Sequence, residues 1–365
     1  MKSLEDASRF GTHMMVVAGG GSLRSNGIFE PAIHVLEKLM PEVTIYEGVR
    51  DEPTPETIDE GVVLAQEAGC DTVLAIGGGS VLDTGKAIAA LVTNGGSVID
   101  YLEGVGSGSS FTVPALPFIA VPTTAGTGSE VTKNAVITKP GVFMKSIRSQ
   151  FLIPNLAIVD PALTTTLPPF ITATSGLDAF SQLLEGLVTR KRNPITEALC
   201  EKGLKLCTRS LLQAYLNQSD LDARNDMAAA SLLSGLSLAN SGLGAIHGFA
   251  AGLGAVFGVS HGLACAVLLP HITAANAEED PDGFARLGKI FTGRIFSTAR
   301  QAAQAGVSFI RNLCRDLLIP ESLSAISVTA DLLPEVVKAS QGNSMRGNPV
   351  EFSKAKQLEL LKSIL

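Results

Sequence analysis

The sequence predicts an α/β domain built on a parallel sheet, followed by a domain made only of helices. Three observations carry this. Up to Asp160, short apolar runs alternate with amphipathic helical stretches. Beyond Pro161 the strand signals nearly vanish. Two of the early apolar runs end in glycine-rich turns, where open parallel sheets bind ligands.

In order, MMVVAG (14–19) reads as a buried strand and GIFEPAIHVLEKLM (27–40) as an amphipathic helix. VTIYEG (43–48) is a strand, and TPETIDEGVVLAQEAG (54–69) a helix opened by a Thr–Pro–Glu cap. DTVLAIG (71–77), GSVLDTGKAIAALV (79–92) and FIAVP (118–122) continue the alternation as strand, helix, strand. VTKNAVIT (131–138) and AIVD (157–160) add strand-like pieces. PPFITATSGLDAFSQLLEGLVTR (168–190) and NPITEALCEKGLKLCTRSLLQAYL (193–216) have helical period. The expected division is a dinucleotide-binding α/β domain over 1–160 and a helical metal- and substrate-binding domain over 161–365, with the active site in the cleft between them.

A hydrophobic fraction of 45% against 17% charged residues describes a packed globular chain, not a disordered one. A net charge of −7 argues against nucleic acid or an anionic membrane as the main partner. The five cysteines are scattered with no CxxC pair, so neither a disulfide framework nor a cysteine zinc site is expected. MKSLEDASRF lacks an apolar h-region, and the cytoplasm is the expected compartment.

Between Met227 and Ala277 there is no Asp, Glu, Lys or Arg, yet His247, His261 and His271 fall there. The run is weakly hydrophobic and has no flanking cations, so buried bundle helices explain it better than a membrane span. Buried imidazoles need partners, and neutral imidazole is a common metal ligand. With a carboxylate from elsewhere, His247 and His261 would make a divalent metal site with a position open to substrate. Satisfied core histidines are the plain alternative.

Gly77-Gly78-Gly79-Ser80 follows a strand and opens a helix, which suits a pyrophosphate. No GK[ST] completes it, so it is not a Walker loop. A second turn, Gly19-Gly20-Gly21-Ser22, ends the first strand; it carries no carboxylate, and Arg24 follows, which favours NADP over NAD. The loop 122–130, dense in hydroxyls and glycines, suits ribose and nicotinamide contacts.

GGGSVLDTGKAIAA (77–90), PTTAGTGSEVT (122–132), AIVDP (157–161), GLDAF (176–180) and the segment from His247 to LLPHI (268–272) resemble the iron-containing, or group III, alcohol dehydrogenases. The resemblance covers nearly the whole chain in order, and AGGGSLRSNG is similar to the NADP-type butanol dehydrogenase and aldehyde reductase branch. It implies a Rossmann-like first domain, a helical second domain, NAD(P), a divalent metal (Fe²⁺ or Zn²⁺), a small alcohol or aldehyde substrate and a homodimer. Carried over, the cofactor contacts are Gly20, Gly21, Ser22, Gly78, Gly79, Ser80, Asp83, Thr123, Thr124, Thr127, Asn134 and Lys145. Asp178, His247 and His261 match three metal ligands and are the implied catalytic set.

Two positions depart from the family. Gln182 stands where a histidine is usual and would offer an amide oxygen, a weaker ligand for iron or zinc. Ala251 stands where another histidine is frequent; it enlarges the pocket and removes a proton relay. The expected activity is hydride transfer between an alcohol and the nicotinamide. The alternatives are a metal-independent or three-ligand, glycerol dehydrogenase-like oxidoreductase, and a dehydroquinate-synthase-like lyase. The lyase would need cations to grip its substrate, which 227–277 does not supply. Phe249 and Phe257 are candidates for an apolar substrate wall or for core packing.

Overall fold

The computed structural model describes residues 2–365, the side chains of Lys2, Ser3 and Ser22 excepted. The chain divides into two units. The first comprises Met1–Thr124, Ser129–Lys139 and Met144–Thr166; the second comprises Ala125–Gly128, Pro140–Phe143 and Leu167–Leu365.

In the first unit the elements run β1 (His13–Gly19), α1 (Ser22–Ser25), α2 (Phe29–Leu39), β2 (Glu42–Val49), α3 (Pro55–Ala68), β3 (Thr72–Gly77), α4 (Gly79–Asn94) and β4 (Phe118–Pro122). β5 (Asn134–Lys139) and β6 (Phe143–Arg148) pair in a small separate sheet, and β7 (Leu156–Ala157) is a two-residue edge. The main sheet has the order β2-β1-β3-β4-β7, parallel throughout.

Met14 to Ala18 and Val73 to Ile76 are buried without alternation, as strands covered on both faces must be. One face of the sheet, through Met14, Val16, Leu74, Ile76 and Ile119, packs on Phe29, Ile33 and Leu36 of α2. Thr54 caps α3 by accepting from the Thr57 amide at 3.2 Å, with Pro55 fixing the first turn. The order 2-1-3-4 puts the topological switch point between β1 and β3, where ligands sit in such sheets. Both glycine turns leave the carboxyl ends of these two strands.

From Leu167 onward the described residues form helices and their connections: α5 (Pro169–Val188), α6 (Pro194–Leu216), α7 (Leu221–Ser241), α8 (Ala245–Phe257), α9 (His261–Glu279), α10 (Pro281–Thr292), α11 (Ala299–Asp316), α12 (Leu333–Ala339), α13 (Asn343–Gly347) and α14 (Lys354–Ser363). α5 is the axis of this unit and is buried almost all round from Thr172 to Val188. The uncharged stretch becomes most of α7, all of α8 and most of α9. Among the described residues no single helix is long and apolar enough to cross a membrane; α7 and α8 reach that length only together, bent by 97°. Phe249 is fully buried in the core and Phe257 packs against it, so core packing accounts for both.

Candidate active site

Three helices of the second unit bring the chemistry together. On α5, Asp178, Gln182 and Glu185 lie at i, i+4 and i+7, on one face. α8 contributes His247, and α9 contributes His261 and Cys265, one turn apart. α9 reaches α5 closely because residue 262 is glycine: a Cβ there would lie 3.0 Å from the Thr174 carbonyl oxygen.

His247 Nε2 lies 3.2 Å from Asp178 Oδ1, and His261 Nε2 lies 3.6 Å from the same oxygen. Cys265 Sγ is 3.8 Å from His261 Nε2. One donor atom from each of Asp178, His247, His261 and Cys265 lies within 4.8 Å of the others. Donors around a tetrahedral divalent ion, with bonds of about 2.0–2.3 Å, stand about 3.3–3.8 Å apart. The donor set and its spacing therefore fit a divalent metal.

Glu185 fixes the orientation of His247. Its carboxylate accepts from the Gly244 and Ile246 amides, at 2.9 and 2.6 Å, at the N-terminus of α8. That is a favourable place for an anion, and α8 has no side-chain cap of its own. The same carboxylate accepts from His247 Nδ1 at 2.7 Å, leaving Nε2 as the ring's donor toward the cluster. Gln182 is buried beside Asp178. Its amide oxygen accepts from the Ser234 hydroxyl at 2.9 Å, and its side chain hydrogen-bonds Asp178. In this arrangement Gln182 braces the carboxylate while its oxygen is engaged by Ser234.

Burial pushes the Asp178 carboxyl up, but the facing His261 and His247 imidazoles outweigh it and hold the group below the usual carboxylate range. Burial pushes both imidazoles down; Cys265 and Asp178 outweigh it, taking His261 to about 9 and His247 well above its ordinary value. The negative potential that favours imidazolium also favours a divalent cation, which competes with those protons.

Gly78 caps α4, and Gly79 and Ser80 begin it, so free amides open toward the end of β3. Residue 77 has to be glycine, since a Cβ would lie 2.6 Å from the Val81 side chain. Thr123 is buried, its amide donating to the Gly77 carbonyl at 2.9 Å. Thr124 lies alongside Gly78, where a Cβ would come within 3.3 Å of it. Thr127 belongs to the second unit. The side chain of Lys145, half-buried on β6, makes no hydrogen bond or ion pair among the described residues, and Asn134 opens β5.

Gly20 follows β1 and its amide donates to the Val49 carbonyl at 2.8 Å, with Gly21 next to it. The side chain of Ser22 lies outside the described residues. His13 is held by Thr44, His271 donates to the Glu321 carbonyl, and His34 is exposed, so none of them joins the cluster.

Asp83 and Arg24 both have partners within the first unit. Asp83, which the resemblance places at the cofactor, accepts from Ser129 Oγ at 2.5 Å through Oδ1 and from the Val136 amide at 2.7 Å through Oδ2. These bonds make it a clamp on the segment 129–136. The first glycine turn does have a carboxylate nearby. Arg24 makes two 2.8 Å bonds to Glu47 at the end of β2 and also pairs with Glu30.

Sequence reasoning missed Glu185, Cys265 and Glu47. The first two had a signal: seven residues after Asp178 and four after His261, each on the same helical face as its partner. Glu47 is brought to Arg24 only by strand pairing.

Residues 2–161 match the family described as iron-containing alcohol dehydrogenase, and residues 172–365 match the Fe-containing alcohol dehydrogenase family, C-terminal. The chain is 40% identical over 265 residues to alcohol dehydrogenase 4 of Schizosaccharomyces pombe, covering 72% of this chain and 62% of that protein. It is 32% identical to 1,3-propanediol dehydrogenase of Klebsiella pneumoniae, over 93% of this chain and 89% of the relative. A mutant of an archaeal halo-thermophilic Red Sea brine pool alcohol dehydrogenase superposes with a TM-score of 0.94 at 31% identity, over 99% of this chain and 94% of that one. The chain belongs to the iron-containing alcohol dehydrogenase family, and it is a metal-dependent, NAD(P)-linked alcohol oxidoreductase.

Proposed function

We propose that this enzyme moves hydride between a small primary alcohol, or its aldehyde, and NADP(H), with Asp178, His247 and His261 holding Fe²⁺ or Zn²⁺. The convergence of one buried carboxylate and two imidazoles, one of them locked by Glu185, carries this reading. The chemistry drawn from the two groups when bound is Lewis-acid polarisation of the substrate oxygen and hydride exchange at the nicotinamide ring.

The chain's own residues do the rest. Asp178 supplies the charge that holds the cation, and Glu185 fixes the His247 ring so that no reorientation is needed on binding. Gly78, Gly79 and Ser80 offer helix N-terminal amides to the pyrophosphate, Gly20, Gly21 and Ser22 line the first turn, and Thr123, Thr124 and Thr127 flank the ring end. Asn134 and the unpaired Lys145 are assigned to the ribose. Ala251, one turn beyond His247, has no proton to give, so the alcohol proton leaves through water or the ribose hydroxyls. A homodimer in the cytoplasm is the proposed working state, and the five free, buried cysteines fit a reducing compartment.

NADPH oxidation against a panel of short aldehydes, with added Fe²⁺ or Zn²⁺, tests this function. Absence of turnover with either metal across the panel would sink it. The NADP preference rests on Arg24, which must trade Glu47 for a 2′-phosphate. Arg24→Ala should raise the KM for NADPH by about tenfold, the loss of one charge-assisted contact, and leave that for NADH nearly unchanged. Equal changes for both cofactors would remove Arg24 from the choice.

A further inference from the structure

We infer that Cys265 is itself a metal ligand, so that this chain holds its cation through one carboxylate, two imidazoles and one thiolate. The inference deepens the metal site proposed above and rests on that reading.

Cys265 follows His261 by one helical turn on α9, so both side chains leave the same face. The residue is fully buried. Its sulfur stands 3.8 Å from His261 Nε2, and it belongs to the four-donor group whose atoms all lie within 4.8 Å. Separations of 3.2, 3.6 and 3.8 Å, the last of them to sulfur, are close to donor–donor edges around a tetrahedral divalent ion. The side chain on α5 that would otherwise complete the set, Gln182, has its oxygen engaged by Ser234. A fourth donor is therefore present, but it comes from α9 and not from α5.

A structural thiol packed among apolar side chains would need no such neighbours. Cys200, by contrast, is a buried cysteine whose close polar contact is a serine hydroxyl, Ser237, at 2.9 Å. Replacing an imidazole or amide donor by a thiolate makes the site softer. Softer donors favour Zn²⁺ over Fe²⁺ at equal supply. Binding is balanced by proton release: the S–H bond breaks, the sulfur–metal bond forms, and the proton leaves to solvent.

The test uses the full-length protein stripped of metal and titrated with Co²⁺ while the absorption spectrum is followed. One Co²⁺ per chain should bind and give visible d–d bands together with a near-ultraviolet sulfur-to-cobalt charge-transfer band. Cys265→Ser should keep the visible bands, lose the near-ultraviolet band and bind Co²⁺ at least about tenfold more weakly. Visible bands with no sulfur band in the wild-type protein would overturn the inference while leaving the three-residue site standing. So would a sulfur band that survives in Cys265→Ser. If the wild-type protein takes up no Co²⁺ at all, the three-residue site falls with it. The wild-type spectrum decides the matter even if the variant fails to fold.

Discussion

Asp178→Asn should leave a folded protein that retains no divalent metal and turns over at least about a thousandfold more slowly. The substitution keeps the shape of a side chain that is only 2% exposed and removes its charge. His247 keeps its bond to Glu185, so the cavity does not collapse. What is lost is the carboxylate facing both Nε2 atoms, at 3.2 and 3.6 Å. Lewis-acid stabilisation contributes several kcal/mol to such a barrier, and each factor of ten in rate is about 1.4 kcal/mol, hence the expected thousandfold. Metal analysis of the purified variant, beside circular dichroism to check the fold, decides the point. Stoichiometric metal in Asp178→Asn would refute the ligand assignment.

The second large effect concerns stability. Lys86 is fully buried in α4 and donates to Ser129 Oγ at 2.8 Å, Thr132 Oγ1 at 2.9 Å and the Asn134 carbonyl at 3.0 Å, with Asp83 at 3.8 Å. Together with Asp83 it pins the segment 129–136 to α4. Lys86→Met would leave the Asp83 charge and three acceptors without their shared cation, a loss of about 3–5 kcal/mol. Denaturant titration measures it, and a loss below about 1 kcal/mol would show that the clamp is not a stabilising element.

Burial pushes the Lys86 ammonium down to about 8, against the opposing pull of Asp83 and Glu130. Between about 8 and the ordinary value of 10.5 the unfolded chain therefore binds more protons than the folded one, and this group's contribution to stability rises with pH. The gap between wild type and Lys86→Met should be wider near the top of that window than below it. A gap that narrows would show that the ammonium is held charged more firmly than burial allows.

Much of this was legible in the chain. Alternating apolar runs encode the parallel sheet, because a strand covered on both faces must be continuously apolar. Glycines at the ends of β1 and β3 mark the switch point, since only a turn without side chains lets backbone come close to a ligand. Histidines in an uncharged stretch marked α8 and α9 as the carriers of the site. What stayed hidden depends on which helix packs on which. Nothing in the spacing says that Glu185 on α5 will cap α8, or that Cys265 will face His247 across the cluster. The motif around Asp83 identified an important residue but not its partners, because Ser129 and Val136 reach it only through the fold. Likewise the first glycine turn was read without Glu47, a residue of the neighbouring strand.

In the proposed mechanism, hydride transfer depends on a cation gripped by Asp178, His247 and His261. The most direct test is NADPH-dependent aldehyde reduction by protein exhaustively treated with chelator, followed by stepwise addition of Fe²⁺ or Zn²⁺. Turnover should vanish with the metal and return in full at one equivalent per chain. Undiminished turnover in chelator, from protein shown to contain no metal, would contradict it.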